Sequence, residues 1–192
     1  MSPRIRPISA VELPLVMPAL IELLQDAVNG GASLGFLAPL APEEAREYWQ
    51  SLRPELEAGA RVLLAAYCDD RLVGSGQLLF PKWSAQRHRA EVQKLFVLGA
   101  CRGHGIGRSL MAGLHGTARQ QGRSLILLNT RRGEPAEGFY TALGYREAGV
   151  IPGFTIDAGG KRHDTVTLYQ DLALPKIPLL GVLQDDIGSG PL

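Results

Sequence analysis

The stretch "RGHGIG", residues 102–107, sets glycines at 103, 105 and 107 between Arg102 and Arg108. Three glycines in five residues weaken any regular element, so the run implies a turn or a ligand that needs them. The segment before it, "LFVL" (95–98), is strand-like, and the segment after it is helix-like. A turn in that place presents backbone N–H groups without partners. The helix macrodipole adds about half a positive charge there. The chemistry this suits is anion binding, and phosphate is the natural anion. A tight turn with no ligand is the alternative reading. The dinucleotide fingerprint G-x-G-x-x-G would need glycine or alanine at 108, which is arginine. A Walker A loop ending in "GRS" (107–109) would need lysine at 108 and glycine at 102, and both are arginine.

A strand before that turn and a helix after it must position it. In "RAEVQKLFVL" (89–98), ideal alternation puts Glu91, Gln93, Leu95 and Val97 on one face; a bulge would break that count. The helix is expected to run to about Gln121, with Ile106, Leu110 and Leu114 in one i, i+4 row and Gly122 as its stop. "SLILLNT" (124–130) reads as a buried strand. Strand–helix–strand from 89 to 130 predicts a right-handed crossover with parallel strands. Upstream, "RIRPIS" (4–9) reads as a strand. Ser9 and Glu12 have capping-box spacing, while Pro14 and Pro18 predict a kink or a restart near Pro18. That helix ends at Gly30-Gly31, and a second one covers 42–59. Strands at 61–68 and 71–80 flank an Asp69-Asp70 turn. Downstream come a short helix at 134–144 and strands at 145–154 and 163–172. The order predicts an α/β protein of the α+β kind: a mixed, mostly antiparallel sheet with helices on both faces. One domain is expected over 1–174, followed by a tail at 175–192, partly docked and loose at its end.

A chain of 192 residues with a net charge of +1 can bury a full core and exerts no general pull on nucleic acid or membrane. Cys68 and Cys101 form no C-x-x-C pair, and the four histidines show no H-E-x-x-H pattern. No metal site and no disulfide framework are expected. The N-terminal segment is broken by Glu12, Glu22 and prolines, which argues against a signal peptide or membrane span. A cytoplasmic location is expected, and a homodimer is left open.

"RGHGIG" fits a third pattern, R-x-x-G-x-G/A, and here it resembles the pyrophosphate loop of the GNAT acetyltransferase superfamily. The resemblance covers roughly residues 4–172. It is densest over "HRAEVQKLFVLGACRGHGIGRSLM" and "PAEGFYTALGYREAGVIPGF". These runs are similar to the branch that includes the tabtoxin-resistance acetyltransferase, which acetylates a small amine toxin. The resemblance implies a splayed sheet with acetyl-CoA, as cosubstrate, lying in the split. It implies that the backbone of Leu95, Phe96 and Val97 pairs with pantetheine amides. The amides of Gly103, His104, Gly105, Ile106, Gly107 and Arg108 would hold the pyrophosphate, with Arg102 and Arg108 adding charge.

Moving acetyl from a thioester to an amine needs a deprotonated amine, a polarised carbonyl and a proton for the leaving thiolate. The resemblance assigns the acid to Tyr140; a core aromatic beside Phe139 is the other reading. Glu91 is the candidate base, at the start of the strand leading to the pantetheine segment. Its other reading is a solvated strand end. A carboxylate near an apolar channel can have its pKa raised toward the range of a base. The similar branch carries an aspartate where this chain has Asn129. An asparagine cannot accept the proton of an ammonium but can hydrogen-bond an amine or a water. Glu91, alone or through water, is therefore expected to deprotonate the acceptor and Asn129 to position it. The acceptor pocket is expected from the loop 30–36, with Ser33 and Phe36 as contacts, and from the turn 151–154. A loop docked into the core through Leu34 and Phe36 is the alternative. Cys101 belongs at the pyrophosphate end, so direct transfer is expected rather than an acyl-enzyme.

These readings converge on an N-acetyltransferase that moves acetyl from acetyl-CoA to the primary amine of a small molecule. One alternative is a CoA-binding sensor or assembly module without catalysis, which would need neither Glu91 nor Tyr140. The other is a protein-amine acetyltransferase, which would need an open groove.

Overall fold

The computed structural model describes residues 3–173, so the expected tail at 175–192 lies outside the described residues. The apolar runs form β1 (Arg4–Ile8), β2 (Arg61–Cys68), β3 (Arg71–Leu79), β4 (Arg89–Val97), β5 (Leu125–Arg131), β6 (Arg146–Ile156) and β7 (Arg162–Asp171). They join one sheet in the order β1-β2-β3-β4-β5-β7-β6. Every neighbouring pair is antiparallel except β4 and β5. The helices are α1 (Leu13–Asn29), α2 (Pro42–Ser51), α3 (Arg53–Glu57), α4 (Ile106–Gln120) and α5 (Pro135–Thr141). The mixed, mostly antiparallel sheet expected from the sequence is present.

Both faces of the sheet are covered. On one, Leu110 and Leu114 of α4 press against the positions of Gly74 and Gly76 in β3. On the other, Trp49 of α2 donates its indole N–H to the Leu20 carbonyl of α1 (3.0 Å). The Trp49 ring lies 6.3 Å from that of Phe96. Leu20, Leu23, Leu24, Trp49, Leu110 and Leu114 are wholly buried, as two packed layers around a sheet require.

One sequence expectation fails in α1. The Ser9–Glu12 box forms: the Ser9 N–H donates to Glu12 Oε2 (3.0 Å) and the Glu12 N–H to Ser9 Oγ (3.2 Å). The bond from the Ser9 N–H, with those from the Arg6 guanidinium and the Ser9 hydroxyl, holds the Glu12 carboxyl down to about 2. The box closes a turn, however, and the helix itself begins at Leu13 and runs unbroken through Pro18. With that start Pro14 falls in the first turn, where it needs no N–H partner. Pro18 then forfeits a single bond, and the buried face beyond it keeps the helix in place.

The feature that positions the site is a split. β4 and β5 pair only from Arg89 to Glu91 against Leu125 to Leu127. Beyond Glu91, β4 continues along β3 as far as Val97, and β5 continues along β7 as far as Arg131. The two strands part, and a wedge opens between them.

Candidate active site

Two cavities occupy the wedge. The first, of about 340 Å³, runs from Leu95, Phe96 and Val97 to the loop 101–108, with Phe139 and Tyr140 of α5 opposite. The Leu98 N–H donates to the Val73 carbonyl of β3 (2.9 Å). Strand alternation then turns the polar backbone groups of Phe96 toward β3 as well, and those of Leu95 and Val97 into the split. Arg102 Nε donates to the Val97 carbonyl (3.1 Å), which agrees with that direction. Phe96 is on the wall, but its backbone is engaged in the β3 ladder.

The loop answers the question raised by its glycines. Gly103 and Gly105 have φ of 81° and 78°, in the left-handed region that favours glycine, and nothing stands within 4 Å of where their Cβ atoms would be. Gly107 differs. A Cβ there would sit 3.3 Å from the Phe139 ring, so this glycine admits α5, not an anion. The first bond of α4 runs from the Ser109 N–H to the Gly105 carbonyl (3.1 Å). Among the described residues, the N–H groups of residues 103 to 108 find no acceptor. They form a row of free donors at a helix N-terminus, the arrangement that suits a diphosphate. Arg102 and Arg108 flank it on the cavity wall. His104 turns away, with Nδ1 2.8 Å from the Arg102 carbonyl. Asp26 of α1 holds the approach to the loop from behind, accepting from the Gly99 N–H (2.7 Å).

The second cavity, of about 360 Å³, lies between the loop 32–35, β4, the end of β5 and Phe154 of β6. The two cavities share Leu95, Ala136 and Tyr140. Tyr140 is 8% exposed and in edge contact with Phe139 and Tyr145, at 5.2 and 5.8 Å between ring centroids. Its hydroxyl makes no hydrogen bond among the described residues. Burial raises its pKa above the ordinary tyrosine value, so the proton stays on through neutral pH. Tyr140 is thus a packed aromatic, as one sequence reading had it, and it also stands at the junction of the two cavities.

Ideal alternation along β4 fails at Lys94. Gln93 lies opposite Gln77, and Phe96 opposite Ser75, so Lys94 and Leu95 together face Gly76. This is a β-bulge, with Lys94 at φ 49°. Leu95 consequently contacts the Gly76 position beside Leu114 on the α4 side. Glu91 and Gln93 lie on the other face, with Gln77. The expectation that Glu91 shares a face with Leu95 and Val97 is thus corrected by the bulge. Glu91 still lines the second cavity, because that cavity opens on its side.

A polar chain missed in the sequence supports it. Arg61, only 8% exposed, is paired with Glu55 (2.6 Å) and donates to the side-chain oxygens of Gln77 (2.6 Å) and Gln93 (3.0 Å). With its oxygen so engaged, Gln93 must present its amide N–H to Glu91 Oε1, at 2.9 Å. Lys94, also unanticipated, donates to the Leu34 carbonyl. Its ammonium lies over the rings of Phe36 (5.1 Å) and Tyr48 (5.5 Å). Burial, with a smaller contribution from nearby Arg61, brings its pKa down to about 8. A positive φ at a non-glycine residue within a strand is the signal for such a site, and it is invisible in the residue types.

Of the expected acceptor contacts, Ser33 and Asn129 line the second cavity. The Thr167 hydroxyl donates to Asn129 Oδ1 (2.8 Å), which leaves the amide N–H₂ unengaged. Phe36 does not line it. The ring packs edge-on against Tyr48 at 5.3 Å, because the Lys94 bond to Leu34 draws this end of the loop toward α2. Residues 151–154, expected as a turn, are instead part of β6, and Phe154 reaches the wall from that strand. Arg131, paired with Glu134 at 2.8 Å, completes it. No cluster of residues that could hold a metal occurs among the described residues, and no helix there is long and apolar enough to cross a membrane.

The model of the Acetyltransferase (GNAT) family matches residues 22–145. A curated relative from Azospirillum brasilense, an uncharacterized N-acetyltransferase in the hisH-hisA intergenic region, is 32% identical over 114 residues. The match spans 58% of this chain and 66% of the relative, just under two thirds of its length. The ribosomal-protein-alanine N-acetyltransferase of Brucella melitensis shares the fold, with a TM-score of 0.69 and 22% identity over 88% of this chain and 99% of that one. A GNAT superfamily phosphinothricin acetyltransferase of Sinorhizobium meliloti, solved in complex with acetyl-CoA, has a TM-score of 0.71 and 20% identity over 90% and 89%. These two names carry different acceptors, so the shared fold does not select one.

Proposed function

The chain belongs to the GNAT acetyltransferase family, and from that premise we propose that it transfers an acetyl group from acetyl-CoA directly to the primary amine of a small molecule. The observation that carries this reading is the meeting of the two cavities at Leu95, Ala136 and Tyr140. One cavity has the donors for a diphosphate, the other has a carboxylate and the size of a small-ligand site, and the only passage required is at the junction.

Acetyl-CoA supplies an activated thioester carbonyl. The free amides of residues 103–108 fit its diphosphate, with Arg102 and Arg108 as flanking cations. The polar backbone groups of Leu95 and Val97 that face the split suit the pantetheine amides, as an added strand would. Glu91, oriented by Gln93, takes the proton from the acceptor ammonium, directly or through one water. Asn129 positions the amine through its unengaged amide. Tyr140 keeps its proton and presents the hydroxyl to the departing sulfur. The free amine then attacks the carbonyl; as the C–S bond breaks the sulfur takes the Tyr140 proton and leaves as the thiol, and the nitrogen, now bearing the acetyl group, gives up its second proton to restore the Tyr140 hydroxyl. The size of the second cavity supports a small acceptor. The similarity to the tabtoxin-resistance branch supports the same class, although Asn129 replaces the aspartate of that pattern.

Release of free thiol from acetyl-CoA, measured against a panel of primary amines, tests the proposal. Turnover above the hydrolysis blank with at least one amine is expected. Binding of CoA with no amine-dependent release would leave a CoA-binding module and overturn transfer.

A further inference from the structure

Besides the neutral groups, the wall of the second cavity carries four charges: Glu91, Lys94, Arg131 and Glu134. Arg131 and Glu134 neutralise one another across 2.8 Å. Glu91 receives only the neutral amide of Gln93. Lys94 has the Leu34 carbonyl and two aromatic faces, and no carboxylate pairs with it among the described residues. The charge that adds to the effect of burial on Lys94 is another cation, Arg61. One anion and one cation are thus left uncompensated in the same cavity, three residues apart on one strand.

A half-buried ammonium without a counter-ion is costly, and this one is held by a backbone conformation that lysine rarely adopts. A merely structural side chain at this bulge would be better served by glycine or an apolar residue. A bound molecule carrying its own anion would remove the cost. Resting on the acetyl-transfer reading above, we propose that the acceptor is a zwitterion, an amino acid or close analogue, whose ammonium faces Glu91 and whose oxyanion pairs with Lys94. Lys94 is then a specificity-determining residue and takes no part in the chemical step. Arg131, paired with Glu134, stands on the same wall. The bulge thus serves both substrates: it turns Leu95 toward the donor cavity and gives Lys94 to the acceptor.

The test uses the full chain and matched acceptors. Twenty amino acids are screened by thiol release, and the best is compared with its decarboxylated amine and its amide. A charge-assisted contact in a desolvated site predicts a kcat/KM about 10- to 100-fold higher for the carboxylate member. In Lys94→Met that ratio is expected to fall below about threefold. The ratio within one preparation does not depend on how much of it is folded, so a poorly folding variant still gives an answer. Wild-type protein that acetylates the decarboxylated amine as well as the amino acid overturns the proposal. So does a ratio that survives Lys94→Met. If CoA binds and no amine is turned over, the transfer reading fails separately, and the charge assignment is read from thermal shifts. Protection by the amino acid and not by its decarboxylated amine, lost in Lys94→Met, upholds it. Equal protection, or none, overturns it.

Discussion

The two halves of the wedge are built by different means. The donor half is backbone: free N–H groups at 103–108, two left-handed glycines and the exposed edge of a strand. The acceptor half is side chain: Glu91 oriented by Gln93 and Arg61, Lys94 on a bulge, and an Arg131–Glu134 pair. Backbone donors accept any sequence that keeps the turn, so they suit a cosubstrate shared across a family. Side-chain charges change with single substitutions, so they suit an acceptor that differs between members. The sheet brings both to one junction, and substitutions there and on either side should behave differently.

The junction gives the largest effect. Tyr140→Phe removes the one free hydroxyl common to both cavities, and kcat is expected to fall about 10²- to 10⁴-fold. CoA affinity, measured by calorimetry, should be unchanged, since the donor half holds the nucleotide without Tyr140. A fall in affinity equal to the fall in kcat would make Tyr140 a packing residue only. On the acceptor side, Glu91→Gln should lower kcat/KM about 10²-fold at neutral pH and flatten the acid limb of the pH–rate profile. An acid limb that persists unaltered would remove Glu91 from the role of base.

On the donor side, Gly105→Val forces a β-branched residue into φ 78°. A strain of about 1–3 kcal/mol predicts CoA binding weakened roughly 10- to 100-fold, with the preference among amines intact. A changed preference would show that the halves are not separable.

The same contrast decided what could be read from residues alone. The glycine turn, the strand before it and the i, i+4 row of Ile106, Leu110 and Leu114 were legible, because backbone requirements leave marks in residue type. Glu91, Asn129 and Ser33, singled out from the sequence, all line the second cavity. The face count that put Glu91 with Leu95 and Val97 holds only for a strand without a bulge, and β4 has one. Nothing in "VQKLFV" marks that bulge: Lys94 carries the positive φ where glycine would have advertised it. Without that bulge in view nothing singles out Lys94, and of the two readings of Phe36 the ring's packing against Tyr48 favours the docked one over a pocket wall. The Arg61–Gln93–Glu91 chain joins residues 32 and 2 apart in sequence, and only the β2-β3-β4 register assembles it.

The smallest effect expected is also the one that separates a functional lysine from a structural one. In the folded chain Lys94 titrates at about 8 against an ordinary 10.5, chiefly through burial. A lowered pKa means that the unfolded chain binds more protons between those values, so stability rises with pH across that interval. Below pH 8 the full penalty is present. At about 1.4 kcal/mol per unit its ceiling is roughly 3 kcal/mol, and the Leu34 bond and the two ring contacts offset part of it. Lys94→Met should therefore stabilise the ligand-free protein by about 1–2 kcal/mol at pH 7, measured by urea unfolding. That advantage should shrink as pH rises from 8 toward 10.5, when the wild-type lysine becomes neutral. A residue retained for folding would show the reverse, a Met variant less stable at pH 7. Stabilisation together with loss of the carboxylate preference would mean that the chain carries a cation its fold alone would not keep.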